Sequence, residues 1–169
     1  MRKTVLFLLA VVIIGTLALA PAIPGAAKAS RITTCALQTN TAEIPGEMWM
    51  SDDGTILHIR GQITYGNIEP LPGHPECDPA YSRGQMVMTL NLNLNLVTGQ
   101  GNAYGKHTIQ VDGFDGAWEG TYQGKITQSG YTGKAISHGT GDLAGLIQKV
   151  KIVQTGETTY ETYGYVRVR

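Results

Sequence analysis

The stretch from Trp118 to Gln154 constrains the fold of this chain more than any other. In its first part Trp118, Gly120, Tyr122, Gly124 and Ile126 alternate with Glu119, Thr121, Gln123, Lys125 and Thr127. Successive side chains of a strand point to opposite faces, so a period of two with one apolar and one polar side predicts a half-buried strand. Ser129-Gly130 then turns the chain. A second strand, Tyr131 to His138, puts Tyr131 and Ala135 on one side and Lys134 and His138 on the other. A third strand is predicted from about Leu143 to Gln154. Its parity changes partway: Leu143 and Ile147 disagree with Leu146, Val150 and Ile152, and Gly145 is placed for a bulge that would cause the switch.

The same alternation recurs upstream. From Gln85 to Val97, Met86, Met88, Leu90, Leu92, Leu94 and Leu96 alternate with Val87, Thr89, Asn91, Asn93 and Asn95. The asparagine row reads as a solvated face rather than the lining of a polar cavity. After a turn at Thr98 to Gly101, Asn102 to Val111 carries Ala103, Gly105, His107, Ile109 and Val111 on one face. His107 thus lies on an apolar side, unlike His58 and His138. Nearer the N-terminus, Glu47 to Ser51 is a short strand, Asp52-Asp53-Gly54 a hairpin turn, and Thr55 to Tyr65 a strand. There Leu57, Ile59, Ile63 and Tyr65 share one face, and His58, Arg60, Gln62 and Thr64 the other, so His58 is expected to face water. A last strand follows the turn at Thr155-Gly156-Glu157, with Tyr160, Val166 and Val168 opposite Glu161, Tyr163, Tyr165 and Arg167.

Two segments read as irregular. Ser30 to Gly46 shows no period. Gly66 to Gly84 holds Pro70, Pro72, Pro75 and Pro79, and proline cannot donate to a ladder. About eight antiparallel strands remain, with no helix beyond the N-terminus. The fold class is therefore all-β: a closed up-and-down barrel, with a β-sandwich as the alternative. Closure removes exposed edges.

The N-terminus has its own logic. Met1-Arg2-Lys3 is basic, Thr4 to Ala20 is almost wholly apolar, and Ala27-Lys28-Ala29 is a small-x-small cleavage site. Residues 1–29 read as a secretory signal peptide, with Ser30 the first mature residue. An uncleaved membrane anchor is the alternative, although the apolar run is short for a span of about 20 residues. Cys35 lacks the upstream small residue of a lipidated cysteine. Residues 30–169 then form a single domain, expected to be extracellular and without a membrane span. Gln85 to Val97 by itself also fits an outer-membrane barrel strand, but the other strands are too polar and uneven to share a lipid-facing band. Loss of Arg2, Lys3 and Lys28 leaves 10 basic residues against 13 acidic ones, a net charge of −3. The charges are scattered, which argues against nucleic acid as a partner.

The chain has two cysteines, Cys35 and Cys77. In an exported chain a disulfide is the default reading, with free thiols or a metal site as alternatives. His74, Glu76 and Asp78 crowd around Cys77, but the prolines prevent a regular ligand spacing, and no metal or other cofactor is expected. Asp112, Asp115 and Glu119 match no calcium loop and read as a solvated turn. Gly139 to Gly145 lacks the Gly-Lys-Ser/Thr of a phosphate loop. Ser137 and His138 are neighbours on a strand, so they point apart and cannot pair. No catalytic residue is assigned. His107, Trp118, Tyr122 and Tyr160 are the polar-tipped side chains on inward faces, and they are the candidate ligand-binding residues. The competing reading is that they only fill the core.

The Trp-x-Gly-x-Tyr strand (Trp118, Gly120, Tyr122), the hairpin, and the run His138-Gly139-Thr140-Gly141-Asp142-Leu143-Ala144-Gly145-Leu146 resemble the barrel of the allene oxide cyclase-like and dirigent-like group. The similarity spans roughly Gln85 to Arg169. It implies an eight-stranded barrel with an apolar interior, sometimes oligomeric, acting on or steering hydrophobic small molecules. It carries over no catalytic residue. Two functions follow as expectations. The first is a non-catalytic exported barrel that binds a hydrophobic small molecule or serves as a structural module at the cell surface. The second is an exported isomerase or cyclase in which His107 or an interior tyrosine moves a proton.

Overall fold

The computed structural model describes residues 30–168, so the signal peptide expected over 1–29 lies outside the described residues. Nine strands are present among the described residues: β1 (Arg31–Ile44), β2 (Glu47–Met50), β3 (Ile56–Pro70), β4 (Gly84–Asn95), β5 (Gln100–Val111), β6 (Ala117–Thr127), β7 (Gly130–Gly139), β8 (Leu146–Gln154) and β9 (Thr159–Val168). They form one antiparallel sheet in the order β1-β9-β8-β7-β6-β5-β4-β3-β2, and β1 also pairs with β3. That last pairing closes an eight-stranded barrel. The ninth strand, β2, adds to β3 beyond the barrel rim.

The strand that closes the barrel is the one the sequence conceals. Ser30 to Gly46 reads as irregular, yet Arg31–Ile44 is a 14-residue strand. Arg31 to Thr39 pairs with β9, and Ala36 to Ile44 pairs with β3. Four of its cavity-facing residues are Thr34, Ala36, Gln38 and Asn40, which are small or polar and give no apolar period. Ladders on both sides hold it extended, where intrinsic strand preference is weak. β3 is likewise longer than expected and ends at Pro70, where a missing N–H costs least. The remaining connection, 71–83, contains a short 3-10 turn at Pro79–Tyr81. Asp78 caps it by accepting the Ala80 N–H at 2.9 Å.

β3 also changes face. Its register with β4 shifts between Ile59 and Gln62. Gly61 sits in the shift at φ 70°, a left-handed backbone that side chains with a Cβ adopt reluctantly. The extra residue reverses parity. Ile59 is buried before the bulge, while Thr64 (1% exposed) is buried after it and Tyr65 (39%) is exposed. The expected common face of Leu57, Ile59, Ile63 and Tyr65 is thus broken in the middle. The parity change at the start of β8 has a different cause. Gly141–Leu143 is a 3-10 turn, Gly145 (φ 84°) belongs to the link, and the strand begins at Leu146. No bulge is needed there.

The asparagine face of β4 lies outside the barrel, as expected. Asn93 Oδ1 lies 2.8 Å from His58 Nδ1 and accepts from Arg60 Nη2 at 2.6 Å. Asn91 Oδ1 accepts the N–H of Gly61 at 3.2 Å, which serves the bulge. His58 is on the outer side, half-covered by the stacked ring of Trp49 at 5.1 Å.

One barrel end is plugged. Trp118, Leu143, Val111 and Val166 are buried there, with Tyr81 and Phe114 stacked at 5.7 Å beside them. Burying each such apolar side chain contributes about 2 kcal/mol. Cys35 and Cys77 form a disulfide that fastens β1 to the 71–83 connection at this end. The other end carries the tight turns β4–β5, β6–β7 and β8–β9. Among the described residues no helix is long and apolar enough to cross a membrane.

Candidate ligand-binding site inside the barrel

Below the plug the barrel is not filled. A cavity of about 200 Å³ runs along the interior, walled by β1 and β3 to β9. Its lining is mostly apolar, including Met88, Leu90, Leu92, Val150 and Ile152. Glu43 lines it and is exposed, which places the mouth at the end away from the plug. Asn40 and Gln154 accompany Glu43 there.

The space follows from where the sheet puts glycine. Met88, His107, Gly120, Ser137 and Gln148 face one another strand by strand from β4 to β8. A Cβ on Gly120 would run into the carbonyl of Ile136 and the backbone of Ser137. With no side chain between them, His107 reaches across β6 to Ser137, and Nε2 and Oγ lie 2.7 Å apart. Both are buried, at 7% and 1% exposed. Burial holds the His107 imidazole at about pKa 4, below its ordinary 6.5, because low dielectric penalises the charged ring. Its working form is neutral.

Three tyrosines line the mouth half of the cavity. The Tyr122 hydroxyl donates to the Thr89 carbonyl at 3.2 Å. Tyr131 meets Tyr160 edge-on at 6.3 Å. Burial, then the neighbouring Tyr131 and Tyr160, pushes the Tyr122 phenol well above its usual value. Burial and Tyr160 do the same to Tyr131. Several buried polar atoms have no protein partner: Thr34 Oγ1, Thr64 Oγ1, Trp118 Nε1 and the Tyr131 hydroxyl. The threonines and Tyr131 belong to the cavity wall. Buried polar groups are ordinarily paired, so orphans in a cavity wall mark where a bound molecule would be held.

Of the four expected ligand-binding residues, the barrel brings His107, Tyr122 and Tyr160 to one cavity. Trp118 is completely buried in the plug and does not border the cavity. Ser137, Gln148, Tyr131, Thr34 and Thr64 are further polar residues of its wall. The first three share parity with apolar residues on their strands, so the alternation carries them. Thr34 was hidden in a stretch without a period, and Thr64 by the bulge at Gly61. His138 and Ser137 point to opposite faces, as expected; the partner of Ser137 is a histidine 30 residues away. Among the described residues, the one group of potential ligands spaced for a metal is Cys35, Glu76 and Cys77, and its sulfurs are bonded to each other.

Fold and site together define the class: a small antiparallel eight-stranded barrel with an open, largely apolar interior, stapled by a disulfide that suits an oxidising, extracellular environment. No protein-family model matches the chain, and no curated protein matches it.

Proposed function

We propose that the protein is an exported barrel that binds a hydrophobic small molecule in its interior without transforming it. The observation that carries this reading is the mouth-open cavity of about 200 Å³ with its apolar wall. An engineered apolar cavity of about 150 Å³ holds benzene. The space here therefore suits a single ring or a short branched chain. A purely structural module would gain stability by filling that space, since voids cost dispersion and transfer energy.

The enzyme alternative rests on the His107–Ser137 contact. Proton transfer is most effective when the pKa lies near the working pH. An imidazole at about 4 is a weak base, and among the described residues the one carboxylate on the cavity wall, Glu43, is out at the mouth. Both points favour binding over catalysis. Export is supported by the leader pattern of residues 1–29 and by the disulfide. The eight-stranded closure is the architecture that the likeness to allene oxide cyclase-like and dirigent-like barrels implies, and the ligand class is in keeping with it.

Native and denaturing mass spectrometry of protein recovered from its own culture medium tests the reading. The expected mature chain begins at Ser30, is two hydrogens light, and carries an adduct that survives native conditions and is lost on denaturation. Substituting Ala135→Leu, which fills the cavity from its wall, should abolish the adduct and leave the fold. Steady turnover of a small apolar substrate that disappears in His107→Ala would overturn the non-catalytic reading in favour of an isomerase or cyclase.

A further inference from the structure

Polar side chains occur along the whole cavity wall, but one group of them is fully buried at its inner end. Thr34, His107, Ser137 and Gln148 gather in the inner part, toward the plug. Thr34 lies two residues from Ile32, which packs on the plug. Gln148 is paired with Val166, itself a plug residue. All four are buried, between 1% and 7% exposed. His107 and Ser137 satisfy one another, but the Thr34 hydroxyl has no partner. The wall between this group and the mouth carries Leu90, Leu92 and Ile152 beside Tyr131, whose hydroxyl is also without a partner. Charge is distributed just as unevenly. Among the described residues no lysine or arginine borders the cavity, and Glu43 at the rim is its one carboxylic side chain.

Resting on the proposal that the barrel binds a small apolar molecule, we infer that its ligand is uncharged and carries one oxygen acceptor at an end. That end enters first and accepts from the Thr34 hydroxyl, beside Ser137 and Gln148. A ketone, ester, lactone or ether meets the requirement. A buried hydroxyl without a partner forfeits its hydration on folding, and a ligand oxygen restores that bond at the moment of binding. An anionic head would lose its own hydration with no cation to receive it, after passing a carboxylate at the entrance. A pure hydrocarbon would leave the Thr34 hydroxyl unpaired.

Three probes of equal carbon count separate these cases: methyl pentyl ketone, heptane and heptanoate. Each is titrated at neutral pH into the intact, disulfide-bonded protein, with amide chemical shifts as the readout. The ketone should bind about tenfold more tightly than heptane, the equivalent of one net hydrogen bond, and heptanoate most weakly. In Thr34→Val the ketone's advantage should vanish while heptane affinity stays unchanged. Thr108→Val removes the same kind of hydroxyl from the exposed outer face of β5, away from the cavity, and should preserve the advantage. Thermal melting checks the variants: Thr34→Val should melt no lower than the parent, because the lost hydroxyl had no protein partner. Equal affinities for ketone and heptane, a preference for heptanoate, an equal effect of the two threonine changes, or a lower melting point in Thr34→Val would overturn the inference and leave binding in the cavity standing. Failure of all three probes to bind would overturn both.

Discussion

His107 shows how much one residue's surroundings decide. Its place on an apolar strand face is legible from the alternation of β5. What the face contains is not: the serine that meets it is on β7, reached across the bare backbone of Gly120. The environment then sets the chemistry. The folded pKa of about 4 lies below the ordinary 6.5. Between those values the unfolded chain binds the proton and the folded chain does not, so stability should fall as pH drops from 6.5 to 4 and level off below. The shift corresponds to about 3 kcal/mol at the acid end of the window. Urea unfolding across that range, compared with His107→Gln, measures it. Equal pH slopes in both proteins would show that the ring is hydrated or charged in solution. Trp118 makes the converse point. Its parity places it inward correctly, but parity cannot separate a residue that borders the cavity from one that seals its end.

At the scale of elements, β6 was legible because Trp118, Tyr122 and Ile126 recur on one face with glycines between them, and β7 because the Ser129-Gly130 turn precedes it and Tyr131 and Ala135 share a face. β3 was half legible. A single glycine at φ 70° reversed its second half, so that Thr64 rather than Tyr65 faces in. Parity arguments fail wherever one extra residue enters a strand. β1 was not legible at all, since Thr, Gln and Asn on its inner side erase the contrast between its faces. Its attachment was readable through Cys35. The Cys35–Cys77 bond closes a loop of 42 residues in sequence separation and contributes about 4 kcal/mol in the chain-entropy model. The double variant Cys35→Ala/Cys77→Ala should lose stability of that order in equilibrium unfolding. It should also speed amide exchange first at the Asp78 N–H, which bonds the Thr33 carbonyl at 2.8 Å. A loss below about 1 kcal/mol would mean that the unfolded chain is already compact around this loop.

For the whole molecule, β1 matters most because it pairs on both sides. Removing residues 31–44 would leave β3 and β9 with unpaired edges, and such edges template association. A chain starting at Gly46 should therefore elute as oligomers or aggregate; a folded monomer by light scattering would show that the barrel closes without it. The sequence by itself determined the all-β class, the hairpin order from β4 onward, the inward placement of His107, Tyr122 and Tyr160, and the pairing of the two cysteines as the default. These depend on neighbours in the chain: alternation, turn residues and the count of cysteines. Only the tertiary structure decided that β1 closes the barrel, that Trp118 plugs it, that the interior stays open, and that Thr34, His107, Ser137 and Gln148 line the same cavity. Those outcomes depend on strand register and barrel closure, which bring together residues more than a hundred positions apart, and no local pattern records that distance.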